Sequence, residues 1–75
     1  MKRLLIDAKG MRCPLPLLKL KQGLAQTNIG DEVEVRATDA GSWRDIPSFV
    51  SMTAHTMIDQ SQQADEYLYI VKKGE

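Results

Sequence analysis

Glu32-Val33-Glu34-Val35-Arg36-Ala37-Thr38 alternates between polar and apolar side chains without a break. Successive side chains of a strand point to opposite faces, so this segment is a strand with Val33, Val35 and Ala37 buried and the other face wet. A sheet with one polar face can be covered only on the other, so any helices must share that apolar face. The neighbouring segments supply them.

Upstream, Arg3-Leu4-Leu5-Ile6-Asp7-Ala8 reads as a first strand with Leu4, Ile6 and Ala8 on one side. Lys9-Gly10-Met11-Arg12 is a turn. From Pro14 the period becomes helical, with Leu17, Leu20 and Leu24 on one side and Lys19, Lys21, Gln22 and Gln26 on the other. Asn28-Ile29-Gly30-Asp31 stops that helix. Downstream, Asp39 to Arg44 reads as a loop. A second helix is expected from Asp45, with Ile46, Phe49, Val50, Ala54 and Met57 as its inner stripe. Asp45 suits the N-cap, and Pro47 then falls in the first turn. Ile58 to Gln63 is polar and gives at best a weak edge strand. A hairpin around Ala64 and Asp65 joins it to a last strand, Tyr67-Leu68-Tyr69-Ile70-Val71.

The expected order is β-α-β-α-β-β. It gives an α/β two-layer sandwich with a four-stranded mixed sheet and two helices on one face. A right-handed crossover makes the first two strands parallel. Seventy-five residues form one small domain, and a chain of this size buries only about 60% of the surface its unfolded form exposes. No segment approaches the roughly 20 apolar residues that cross a bilayer. No export signal is visible, and the protein reads as soluble and cytoplasmic.

The net charge is zero but unevenly spread. Residues 1–30 hold six bases against one acid (+5), and residues 31–75 hold four against nine (−5). The basic half contains the only cysteine, so a negative partner can be steered toward it. Neutrality, few aromatics and the absence of a recognised motif argue against direct nucleic-acid binding.

Cys13 is expected at the N-cap of the first helix, with Pro14 at N1 and Pro16 at N3. The helix N-terminus, Arg12 and Lys9 all favour a thiolate, so a modest fall from the free-thiol pKa of about 8.5 is expected. The two prolines leave only the amides of Leu15 and Cys13 to solvate the sulfur. One cysteine cannot run a disulfide cycle, since Pro16 stands where a resolving thiol would be. The only histidine, His55, is expected late in the second helix and far from Cys13, so no hydrolase pair forms. One cysteine and one distant histidine hold no metal, and no cofactor is called for. What remains is a thiol that receives and passes on a group, either one sulfur as a persulfide or a reversible cap such as glutathione.

Asp7-x-x-Gly10-x-x-Cys13-Pro14-x-Pro16 resembles the signature of TusA/SirA-like sulfur-carrier proteins, Arg12 lying within it. Arg44-Asp45-Ile46-Pro47 matches the family's second block in kind and spacing. The resemblance spans residues 1–75 as one domain. It implies sulfurtransferase-type chemistry in which Cys13 carries a persulfide and Arg44 and Asp45 assist docking or transfer. It also implies a cysteine desulfurase or rhodanese-like donor and a downstream acceptor protein. In some members the sulfur goes toward tRNA thiolation, in others toward molybdenum cofactor or sulfur oxidation. The competing reading is a regulatory or scaffolding module of the same fold without covalent chemistry. In that reading the basic face or Trp43 binds a partner; Trp43 is equally well read as filling a gap in the small core. The polar sheet face favours a monomer.

Overall fold

The computed structural model describes residues 2–75. Strands β1 (Arg3–Ala8), β2 (Glu32–Ala37), β3 (Thr56–Gln63) and β4 (Glu66–Lys72) alternate with helices α1 (Leu15–Ala25) and α2 (Ser42–Ser51) in the order β1-α1-β2-α2-β3-β4. The sheet order is β1-β2-β4-β3. β1 and β2 are parallel, while β4 runs antiparallel to both β2 and β3. α1 lies over β1 and β2, and α2 over β4 and β3. Leu20, Leu24, Ile46 and Val50 of the helices meet Ala8, Val33, Val35, Ala37, Tyr69 and Val71 of the sheet in one core. The two-layer mixed sandwich expected from the alternation is the fold.

The other face of β2 is polar but not wet. Glu32 and Glu34 are only 8% and 9% exposed. Arg3 donates from Nε and Nη2 to Glu32 Oε1 (2.9 and 2.6 Å), and Arg36 Nε donates to Glu34 Oε2 at 3.1 Å. Long guanidinium side chains from β1 and from β2 itself lie over the central carboxylates and cover them.

Both helix starts differ from the sequence reading. Pro14, not Cys13, is the N-cap of α1, because its carbonyl accepts the first helical bond from Leu18 N at 3.1 Å. Pro16 is therefore the second helical residue rather than the third. α2 starts a turn earlier than expected, with Gly41 at the N-cap and Asp45 donating its N–H to Gly41 O at 3.0 Å. Asp39 organises this start. Its Oδ2 accepts Gly41 N at 3.0 Å and its carbonyl accepts Ser42 Oγ at 2.7 Å. Residues 42–44 are helix, not loop, and Asp45 lies in the first turn instead of capping it.

Pro47 consequently sits inside α2, where its missing N–H leaves the Trp43 carbonyl without a helical donor. Gln60 Nε2, from β3, donates to that carbonyl at 3.2 Å. The helix stops at Ser51, short of Ala54 and Met57. Met52 and Thr53 close it with i to i+3 bonds, and Thr53 Oγ1 also donates to Val50 O at 2.8 Å. Met57 belongs to β3, paired with Val71. β3 is a full eight-residue edge strand with an irregularity between Met57 and Asp59, stronger than its polar sequence implies. The hairpin turns at Ala64, whose φ is +55°.

Candidate functional site

Cys13 follows β1 in a turn built by the motif residues upstream. Asp7 Oδ1 accepts Lys9 N at 3.0 Å, starting the turn. Gly10 has φ +81°, a conformation that glycine adopts without steric cost, and its N–H donates to Thr38 Oγ1 at 2.9 Å. Asp7 and Gly10 thus shape the approach to Cys13; neither bonds to the thiol. Arg12 is exposed, and its carbonyl accepts Leu15 N at 2.8 Å. Pro14 precedes the first turn of α1 and Pro16 is buried within it, fixing the direction in which the chain leaves the cysteine. The Cys13–Pro14 peptide is cis.

Cys13 is exposed, and its Sγ donates a hydrogen bond to Asp45 Oδ2 on α2. The early start of α2 is what delivers Asp45: one turn into the helix, its side chain is directed at the cysteine across a separation of 32 residues. Arg44, beside it, is exposed. The structure therefore brings Cys13, Asp45 and Arg44 together, with the Asp39–Gly41 turn against them.

Asp39 and Gly41 were not picked out from the sequence as site residues. A side chain on Gly41 would place its Cβ 2.8 Å from Asp39 Oδ2, 3.2 Å from Cys13 Cβ and 3.6 Å from its Sγ. A Cβ there would displace the Asp39 carboxylate that accepts the Gly41 amide and crowd the cysteine by a few tenths of an ångström. The signal available was Asp39-Ala40-Gly41-Ser42, a carboxylate followed by glycine and a small hydroxyl residue at a helix start.

The electrostatics reverse the expected fall in thiol pKa. The Asp45 carboxylate, accepting the S–H, raises it most. Partial burial and the negative charges of Asp45 and Asp39 add to this, and Arg44 opposes it. The sequence reading placed the sulfur at a helix N-cap; it lies one residue before the cap and faces the Asp45 carboxylate of the other helix and Asp39 in the turn before that helix. The Leu15 amide, expected to be free for the sulfur, is taken by Arg12 O. Asp45, burial and Asp39 thus all favour the protonated thiol over the thiolate.

His55 lies outside α2, at the end of that helix opposite the Asp45 turn, and accepts Gly74 N on Nδ1 at 3.0 Å. Trp43, 39% exposed, packs against Tyr67 and Tyr69 at ring separations of 5.7 and 6.3 Å. Along α1, Leu15 and Leu18 are 47% and 42% exposed on the turns that follow Cys13. Among the described residues, no helix is long and apolar enough to cross a membrane.

The sequence pattern of the family described as Sulfurtransferase TusA matches residues 5–73. The sulfur carrier protein TusA of Pseudomonas fluorescens is 40% identical over 69 residues, covering 92% of this chain and 83% of that protein. The crystal structure of a SirA-like protein from Desulfitobacterium hafniense superposes with a TM-score of 0.79 over the whole of both chains. At 21% identity that likeness bears on the fold alone. A match over nearly the full length, joined to a relative of this similarity, establishes that the chain belongs to the TusA sulfurtransferase family.

Proposed function

We propose that the protein is a sulfur carrier in which Cys13 accepts sulfur as a persulfide and relays it to a partner. The supporting observation is a lone exposed thiol in a rigid turn, held against Asp45 and beside Arg44. In loading, the Cys13 thiolate attacks the terminal sulfur of a donor persulfide. One S–S bond breaks in the donor as another forms on Cys13, and the proton from Cys13 goes to the departing donor thiolate. No oxidant or reductant is consumed. A cysteine desulfurase or a rhodanese-like protein supplies such a persulfide, and an acceptor thiol removes the sulfur by the same exchange.

Pro14 and Pro16 set the direction of the turn, Asp7 and Gly10 support it, Arg12 and Arg44 bring positive charge to its rim, and Asp45 holds the thiol proton. A reduced thiol with no intramolecular partner suits the cytoplasm, and the carrier acts there as a monomer. The exposed Trp43, Leu15 and Leu18 favour a second reading, a binding module without covalent chemistry.

Intact-mass measurement after incubation with a cysteine desulfurase and cysteine separates the two. The carrier gains one sulfur atom, reversed by reductant and absent in Cys13→Ser. If the protein gains no sulfur while Cys13 still reacts with iodoacetamide, the carrier reading fails; equal partner capture by wild type and Cys13→Ser then supports the binding module.

A further inference from the structure

The Cys13–Asp45 contact is the opposite of what a reactive cysteine needs on its own. A thiolate is the nucleophile in sulfur exchange, and a carboxylate hydrogen-bonded to the thiol favours the neutral form. The geometry thus describes a restraint on the thiol.

We propose that Asp45 determines which sulfur donors Cys13 answers to: it holds the thiol proton in the free protein, so efficient transfer requires a donor that brings positive charge to the thiol. This rests on the carrier reading and specifies its regulation. The charged groups facing Cys13 from α2 are Asp45 and Arg44, and from the turn before it Asp39. In its own segment the nearest are Arg12 and Lys9, and neither bonds to the sulfur. Both Asp45 and Asp39 raise the thiol pKa, and Arg44 offsets them only in part. A cation arriving beside Asp45 cancels the charge that opposes ionisation, and the proton is released to the departing donor thiolate. The site is open to such an approach because Cys13 and Arg44 are exposed. The same restraint keeps the unloaded carrier slow toward neutral and anionic oxidants.

The test is the rate at which Cys13 exchanges with three small disulfides, cystamine (cationic), bis(2-hydroxyethyl) disulfide (neutral) and dithiodiglycolate (anionic), each normalised to free N-acetylcysteine. Wild type is expected to prefer cystamine over the neutral reagent by about two- to fivefold, the upper part of the range an exposed ion pair carries. It should disfavour the anion, and added salt should shrink both effects. Asp45→Asn should react faster with the neutral reagent, move its iodoacetamide alkylation profile to lower pH and lose the charge preference. Asp45→Glu should restore it.

A flat charge preference in wild type overturns the proposal without any variant. So does an Asp45→Asn protein, folded by circular dichroism, with unchanged preference and pH profile. Persulfide loading is measured on the same samples. If wild type takes up no sulfur, the carrier reading falls and this proposal with it. If it loads sulfur but shows no charge preference, only this proposal falls.

Discussion

Ser42→Ala is expected to be among the more damaging single changes in the molecule, although it removes one oxygen atom. Ser42 is 2% exposed and Tyr69 fully buried, and their hydroxyls meet at 2.7 Å. Ser42 Oγ also donates to Asp39 O, which accepts the Ser42 N–H as well. Removing the serine hydroxyl leaves Asp39 O with one donor, but the Tyr69 O–H, which donates to Ser42 Oγ, is left without an acceptor. An orphaned buried hydroxyl costs about 1–3 kcal/mol. At roughly 4–8 °C per kcal/mol for a domain of this size, a loss of about 2 kcal/mol lowers Tm by about 8–16 °C. Tyr69→Phe should cost less, about 1 kcal/mol, because Ser42 keeps its bond to Asp39. The double variant should be less damaged than the two losses added, by about 1 kcal/mol, since no orphan remains. Urea unfolding followed by circular dichroism measures all four corners of the cycle. A Ser42→Ala protein within about 0.5 kcal/mol of wild type, the range of ordinary surface changes, refutes the argument. So does strict additivity.

Two further outcomes follow from packing and charge. Gly23→Ala places a Cβ 2.6 Å from Ile6 Cδ1, 3.2 Å from Val33 Cγ1 and 3.3 Å from Leu4 Cδ2. The Ile6 tip can rotate away, but Val33 is fully buried on a central strand. The overpacking cost of about 1–3 kcal/mol should therefore exceed the helix-propensity gain of about 1 kcal/mol. A stabilised variant in urea unfolding would contradict this. Asp31 accepts the amides of Asn28 (3.0 Å) and Lys2 (3.1 Å), which hold its carboxyl below the ordinary value of 3.8. Its stabilising contribution is present above that ordinary value and is lost as pH falls through the lowered one. Asp31→Asn should accordingly lose less stability on acidification than wild type, and equal acid loss in both would rule this out.

The architecture was legible where burial writes itself directly into the chain. β1 and the alternation of β2 were readable because each inward residue is apolar, and the resulting one-sided sheet dictated where both helices lie. The boundaries of α2 were not readable in the same way. Asp45 and Pro47 look like a helix start, but Asp39 and Ser42 already supply the turn, and the carbonyl orphaned by Pro47 is rescued by Gln60 on another strand. At the other end, Ala54 and Met57 continue the helical period while the Thr53 hydroxyl and two tight bonds end the helix. β3 is polar because it is an edge, so no apolar pattern announced its length. Glu32 and Glu34 looked wet because their cover comes largely from Arg3 on another strand. The same limit governed the site. Cys13 and its exposed turn were visible locally, whereas Asp45, 32 residues away, came into view only through the family resemblance, and its bond to the thiol was not legible in the chain.

The hydrogen bonds of Asp31 have a further consequence for how this fold is connected to anything else. Lys2 N donates to its side chain and Lys73 N to its carbonyl, so both termini leave the sheet beside the start of β2. Cys13 follows the far end of β1, six residues along the sheet, or about 20 Å at the rise of a strand. A fusion partner, affinity tag or surface tether joined before Lys2 or after Lys73 therefore departs from the pole opposite the thiol. The molecule can be immobilised or linked to another domain by either end while Cys13 still faces outward.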